Sequence, residues 1–258
     1  RRPARPPARQ GHPAGDDRLQ RPGLVDRAMC GAAPPHCRGR EASVTDLMTG
    51  RNVVVTGGTG ALGEVVVARL LRAGANCHVP SRRTTSASAR KGERLHVASG
   101  VDLTDETAVD RYYDAVPGLW ASVHLAGGFA MGPVAEATRA DVLRMMEANA
   151  LTALLCSRAA VRAMRRTGDG GRIVNVSARP GLDPRKGARM AAYAASKAAV
   201  AAITLALAEE LKDERILVNA IAPSTLDTAA NRAAMPDADA SKWLAPEAAA
   251  EAVLQLVS

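Results

Sequence analysis

The sequence predicts an α/β fold: a single doubly wound parallel sheet with helices on both faces, spanning residues 48–258. Three observations carry this. From Met48 onward, short β-branched or apolar runs alternate with helix-length segments, the pattern of βαβ crossovers whose parallel strands are buried on both sides. The first run, in "VVVTGGTGALGEVVVARLL" (53–71), passes through a glycine-rich turn straight into an amphipathic stretch. Finally, 47% of the residues are hydrophobic but only one Phe, two Trp and three Tyr are present, so Ala, Val and Leu must fill the core. That composition suits helices packed closely on a sheet. Only one alternating pattern runs along the 258 residues, which favours one domain over two.

Taken in order, residues 52–56 read as a buried parallel strand and 61–73 as a helix closed by Gly74. "ANCHV" (75–79) is a second strand, "LHVASGVDL" (95–103) a third and "SVHLAG" (122–127) a fourth. A long helix is expected from Thr138 to Arg166, then a fifth strand in "GRIVNVS" (171–177) and an Ala- and Leu-rich helix from Ala191 to Leu211. "ILVNAIAP" (216–223) is the sixth strand, and Pro246 to Val257 the last helix.

Residues 1–47 read differently. They hold nine Arg and no Lys against five acids, and seven of the fifteen prolines, with no hydrophobic period. Such a segment cannot bury enough apolar surface to offset its ordering entropy, so a disordered basic extension is expected. It lacks the apolar core of a secretory signal, and Asp16 and Asp17 fit a transit peptide poorly. No aromatics are interleaved with its arginines, so nucleic acid is not an expected partner. The chain begins with Arg and Met48 stands just before the first strand, which suggests an extension upstream of a start at Met48. No membrane span is expected, since no run reaches the ~20 apolar residues needed. Cys30, Cys37, Cys77 and Cys156 have unrelated spacings and read as free thiols of a reducing, cytoplasmic compartment. No metal-ligand set is expected.

The chemistry begins at the glycine turn. A strand turning directly into a helix aims the helix's free N–H groups and positive dipole end at whatever lies above the turn. Gly58, Gly60 and Gly63 satisfy G-x-G-x-x-G, and with Gly57 they permit the turn, the approach of a pyrophosphate and close packing of helix on strand. This is the dinucleotide-binding signature of a Rossmann-type sheet. After the second strand comes "SRRTT", with Ser81, Arg82 and Arg83 and no acid. Guanidiniums and a hydroxyl suit the 2′-phosphate of NADP(H) rather than the ribose hydroxyls of NAD(H). His78, within that strand, reads as a packed or half-exposed histidine. The second constellation is "YAASK", Tyr193 and Lys197. At i and i+4 on a helix they share one face, and an ammonium near a phenol lowers its pKa from ~10. Tyr193 could then pass a proton to a carbonyl oxygen or take one from an alcohol.

"TGGTGALG", "HLAGG", Asn149 in "EANALTALL", "GRIVNVS", "YAASK" and "VNAIAPSTLDT", in this order, resemble the short-chain dehydrogenase/reductase family over about Met48 to Ser258. The resemblance implies a hydride transfer between a nicotinamide and a carbonyl or alcohol carbon of a small molecule, with Tyr193, Lys197, Asn149 and Ser177 in the catalytic roles. It implies that Gly57, Gly58, Thr59, Gly60, Leu62 and Gly63 form the cofactor turn and that Asp102 and Leu103 line the adenine. Ala126, Gly127 and Gly128 would back the cofactor, and Pro223, Leu226 and Thr228 would hold the nicotinamide end. Asn149 would hold a water relaying protons toward Lys197, which with Tyr193 would also contact the cofactor.

The sequence departs from the family pattern in four places. Gly57, Gly60 and Gly63 also fit T-G-x-x-G-x-x-G, as in extended epimerase-like members, although the short chain and "LAGG" favour the reductase-like group. Where the family carries "NVSS" this chain has Ser177 then Ala178, so Ser177 replaces the usual carbonyl-polarising serine only if the strand end is bulged or turned. In lacking that serine it is similar to dihydropteridine reductase-like members. Pro223 is followed by Ser224 rather than Gly, and the chain stops at "EAVLQLVS", where the family adds a seventh strand used in subunit contacts. A sheet ending at the sixth strand is expected, and with it a weakened basis for the family's usual homo-oligomer. Residues 224–245 take the place of a substrate lid, with Met235 and Trp243 as candidate walls or ordinary packing, and the basic loop 179–190 as a surface for an anionic substrate or solvated charge. The sequence reading leaves a non-catalytic NADP(H)-binding protein as the alternative to an oxidoreductase.

Overall fold

The computed structural model describes residues 47–83 and 92–258. The expected basic extension lies, apart from Leu47, outside the described residues. The chain runs β1 (Asn52–Thr56), α1 (Ala61–Arg72), β2 (Asn76–Ser81), β3 (Leu95–Ser99), α2 (Glu106–Asp114), β4 (Leu119–His124), α3 (Arg139–Met145), a π-helical turn (Met146–Leu151), α4 (Thr152–Thr167), β5 (Gly171–Val176), α5 (Arg179–Leu182), α6 (Ala191–Leu211), β6 (Ile216–Ile221), α7 (Ala229–Ala234) and α8 (Pro246–Val257). The six strands form one parallel sheet in the order β3-β2-β1-β4-β5-β6. The expected doubly wound sheet with the sixth strand at its edge is therefore observed among the described residues.

The period-2 alternation of strands sorts the core into two layers. Val53 and Val55 join α1 and α8 through Val66, Leu70, Val253 and Leu254, with Met48 sealing that layer. Val54, between them, points to the opposite layer, where Tyr113, Ala160, Met164, Ile173 and Leu211 pack under α2, α4 and α6. Several boundaries differ from the sequence reading, each for a local reason. β2 continues through Pro80, because β1 stops pairing with it at His78 and the missing N–H is not needed. β3 ends before Gly100, whose φ of +77° turns the chain away. The residues after His124 leave the sheet rather than extend β4. α2, started by Asp105 accepting from the Thr107 and Ala108 N–H groups, and the short α5 and α7 were not anticipated. The expected 138–166 helix is interrupted by the π turn. α6 is long and apolar enough to cross a membrane by length and composition alone; here it packs on β5, β6 and α5.

Chain order reverses between β1 and β4. In open parallel sheets the ligand crevice lies outside the carboxyl ends of the strands at that switch point. Gly57, Arg82, Asp102, Ala126, Ser177 and Pro223 each follow the C-terminal end of a strand, so the fold gathers the predicted site residues along one rim.

Candidate active site

The glycine turn is held by backbone sterics. Gly57 has φ of +66°, and a Cβ there would lie 2.6 Å from the Ala126 nitrogen at the end of β4. A Cβ on Gly63 would lie 2.1 Å from the Gly57 carbonyl oxygen. α1 therefore starts hard against the turn, its first N–H groups facing the crevice, with Gly60 as the extended residue before it and no side chain capping it. Thr59 is exposed at the tip, while Leu62 packs toward the α1 layer.

At the end of β2, Arg82 and Arg83 are exposed. The Ser81 hydroxyl, expected to face a phosphate, donates to the Arg83 carbonyl at 3.0 Å and is buried. Beside them Asp102 accepts from the Thr104 N–H at 2.9 Å and its hydroxyl at 2.8 Å, bonds that hold its carboxyl below the usual range, with Arg82 adding to the effect. Leu103 turns into the α2–α4 layer. His78 is half-buried and stacked on His96 at 4.7 Å, as a packed histidine.

The second cluster is built from buried polar groups. The π turn carries Asn149 inward, where its amide grips the Gly128 peptide from both sides: Oδ1 accepts from Gly128 N at 3.0 Å and Nδ2 donates to Gly128 O at 3.1 Å. The same Nδ2 donates to Ser196 Oγ at 2.9 Å, and Ser196 Oγ donates to the Tyr193 carbonyl at 2.8 Å. Two donors and one lone pair of Asn149 are thus committed to positioning the loop and α6. Ser196, unmentioned by the sequence reading, could have been found from its place one residue before Lys197. Gly127 completes the cluster: a Cβ there would lie 2.5 Å from Asn149 Oδ1 and 3.4 Å from Lys197 Nζ.

Lys197 is buried and its ammonium donates to the Val176 carbonyl at 2.8 Å. Burial pulls its pKa down to about 8. Burial also raises the Tyr193 phenol above its usual value. The lowering expected from a neighbouring ammonium is not observed: desolvation alone sets the direction, and the Lys197 ammonium is directed to the Val176 carbonyl instead. Tyr193 lies edge-on to Phe129, with ring centroids 5.0 Å apart.

Ser177 is turned away from this cluster. Its hydroxyl is buried and donates to the Lys197 carbonyl at 2.8 Å. It locks β5 to α6, and the packing reading describes it. The next residue, Ala178, is extended and buried, so the alternate side of the strand end carries a methyl group. On the far side, Arg179 N donates to Pro223 O at 3.1 Å. The segment after Pro223 is closed at its base by Leu244 N to Thr225 O at 2.8 Å and Asp227 N to Leu244 O at 2.9 Å, with Leu226 half-buried at the bridge. The Thr228 hydroxyl caps α7 by accepting from Asn231 N. Met235 and Trp243 are half-buried, and Arg179, Arg185, Lys186 and Arg189 are exposed.

Residues 51–239 match the family model described as short chain dehydrogenase. The chain belongs to the short-chain dehydrogenase family. It is 33% identical over 231 residues to a galactitol 2-dehydrogenase of Rhizobium johnstonii, covering 82% of this chain and 89% of that one. It is 33% identical over 186 residues to a cyclopentanol dehydrogenase of Comamonas testosteroni, covering 68% and 73%. The solved structure of ElxO with NADP bound shares the fold, with a TM-score of 0.74 at 23% identity, over 81% of this chain and 92% of that one. Within this oxidoreductase family a nicotinamide cofactor fits what the chain provides: a turn a single Cβ would block, and a helix N-terminus above it with free N–H groups.

Proposed function

We propose that this short-chain dehydrogenase is an NADP(H)-dependent oxidoreductase interconverting a small carbonyl compound and its alcohol. The observation that carries the reading is the meeting of Lys197, Asn149 and Gly127, within one residue's reach of each other, on the face of α6 that also bears Tyr193. The relatives named for galactitol and cyclopentanol support an alcohol and carbonyl pair as the reacting couple.

The residues divide the work. The Gly57–Gly63 turn and the N-terminus of α1 would take the diphosphate. Arg82 and Arg83 would take the 2′-phosphate as exposed, freely placed guanidiniums, with Asp102 and Leu103 at the adenine. Ala126, Gly127 and Gly128 would back the ring system, and Pro223, Leu226 and Thr228 would flank the nicotinamide end. When bound, the cofactor supplies a hydride to the carbonyl carbon, or accepts one from the alcohol. Burial keeps the Tyr193 phenol protonated at neutral pH, which is the form that reduction needs: its proton goes to the carbonyl oxygen, giving the alcohol and leaving a tyrosinate. Lys197, with a pKa of about 8, is close enough to neutrality to return a proton. Asn149 and Ser196 fix the loop and helix that hold both groups. Ala178 supplies no hydroxyl to the carbonyl, so polarisation falls on Tyr193.

Cofactor preference is tested by titrating NADPH and NADH while following nicotinamide fluorescence. NADPH is expected to bind about 10-fold or more tightly than NADH, and the Arg82→Ala/Arg83→Ala variant to lose the difference. Equal affinities in the wild type, or a preference surviving in the double variant, would contradict the assignment.

A further inference from the structure

We propose that Phe129 is the specificity wall of the site, and that the substrate is a neutral ketone or secondary alcohol bearing an apolar ring at or next to the reacting carbon; this rests on the oxidoreductase reading above. Phe129 is the chain's one phenylalanine, and it is 61% exposed. Burying such a side chain is among the larger single contributions to a core; in a chain so poor in aromatics, its place outside the core forgoes that stabilisation.

The ring is not carried on a free loop. On one side, the Asn149 amide grips Gly128, the residue before it, and a Cβ on Gly128 would lie 3.1 Å from Met145 and 3.3 Å from Ala148. On the other side, Gly132 N donates to the Arg189 carbonyl at 2.7 Å. Between these anchors Phe129 meets the Tyr193 ring edge-on, 5.0 Å between centroids and 77° between planes. An aromatic pair of this geometry is favourable in itself, and it sets the free surface of Phe129 beside the phenol that delivers the proton. A carbonyl oxygen bonded to Tyr193 therefore has its carbon substituents within reach of Phe129.

Two further apolar side chains stand out of the core on segments tied to the same elements. Met131, in the same anchored loop, is 59% exposed. Leu182 is 64% exposed and follows Gly181, where a Cβ would lie 2.7 Å from the Lys197 carbonyl carbon. Exposed apolar groups on segments anchored to a polar reaction centre suit a binding surface. A ring covers such a surface without leaving a polar group unpaired, whereas a chain of hydroxyl groups would lose water there without gaining partners.

The test measures NADPH-dependent kcat/KM of the full chain for acetophenone, cyclohexanone, 2-butanone and D-fructose, in the wild type, Phe129→Ala and Phe129→Tyr. The two ring ketones are expected to exceed 2-butanone and D-fructose by about 10-fold or more. Phe129→Ala should cut ring-ketone kcat/KM about 10-fold while changing 2-butanone less than ~3-fold, and Phe129→Tyr should retain the preference. A wild type that favours D-fructose, or an Ala variant that loses all four substrates equally, overturns the proposal while leaving the oxidoreductase reading intact. A second measurement needs no turnover: quenching of bound NADPH fluorescence by acetophenone in Tyr193→Phe and in Tyr193→Phe/Phe129→Ala. Quenching that disappears only in the double variant supports the wall even if no ketone is reduced by the wild type; quenching unaffected by Phe129→Ala, or no quenching at all, overturns it.

Discussion

The two halves of the crevice are made of different materials. The β1–β3 half holds its shape by the absence of atoms: Gly57 and Gly63 leave no room for a Cβ against backbone nitrogen and oxygen, and the layer beneath is Val, Leu and Ala. The β4–β6 half is threaded with buried polar side chains. Besides the Asn149–Ser196 clamp, a chain of hydrogen bonds runs beneath it from α2 to α6. Tyr113 OH donates to Ser122 Oγ at 2.8 Å, and Ser122 Oγ to His124 Nε2 at 2.8 Å. His124 Nδ1 then donates to Asn175 Oδ1 at 2.7 Å, and Asn175 Nδ2 to Thr204 Oγ1 at 2.9 Å. Thr204 Oγ1 donates to the Val200 carbonyl, and this end fixes the polarity of the whole chain: only neutral His124, protonated at Nδ1, satisfies every member. One half depends on steric fit, the other on protonation states and hydrogen-bond geometry, and they should fail in different ways.

The steric half should show the largest single effect. Gly63→Ala places a Cβ 2.1 Å from the Gly57 carbonyl, so the turn must open. NADPH binding measured by fluorescence titration is expected to weaken by ~100-fold or more, with little dependence on pH. Retained affinity would mean the turn does not hold the cofactor.

The polar half should instead show acid sensitivity. Burial depresses His124 to about 4, and burial with the neighbouring His96 depresses half-buried His78 to about 4. Free imidazole titrates near ~6.5. As pH falls the unfolded chain therefore takes up protons first, so this stability is whole above ~6.5 and is lost progressively down to about 4. For His124 the loss is of order 3 kcal/mol. Urea midpoints between pH 7 and 4 should fall less steeply in His124→Gln than in His78→Gln, because solvent screens the shift of the half-exposed His78 while His124 is buried. The reverse order would assign the acid sensitivity to the β1–β3 half.

A smaller effect, of opposite sign, is expected at the strand end where the hydroxyl is missing. Ala178→Ser adds a hydroxyl just past the end of β5, beside Ser177, and on the proposed mechanism should raise kcat for ketone reduction about 10-fold with KM little changed. No gain, or a loss, would mean that Ala178 does not border the substrate carbonyl.

The same division explains what the sequence made legible. The glycine turn, β1, α1 and the succession of six strands along the chain follow from local sterics and hydrophobic period, both written in neighbouring residues. Tyr193 and Lys197 were legible because i, i+4 spacing puts them on one face of α6. The π turn at Asn149 was not, because it depends on what the amide reaches at Gly128, 21 residues away. Ser177 was undecided in sequence because its direction is set by a carbonyl 20 residues on, at Lys197. The Tyr193 shift was expected with the opposite sign, since spacing reports the neighbouring ammonium but not the burial of the phenol. β2 runs two residues beyond the stretch legible in sequence, because Pro80 is tolerated where β1 has already stopped pairing. Phe129, too, gains meaning only from its contact with Tyr193 across 64 positions of chain.

The central claim is that Tyr193 passes the proton while the glycine turn holds the cofactor. It is tested most directly by measuring NADPH affinity and steady-state carbonyl reduction side by side in Tyr193→Phe. The phenyl ring keeps the packing on Phe129 and removes only the hydroxyl. The account predicts NADPH affinity within ~2-fold of wild type and a kcat reduced by ~1000-fold or more. A variant that binds NADPH normally and still turns over at a wild-type rate would contradict it.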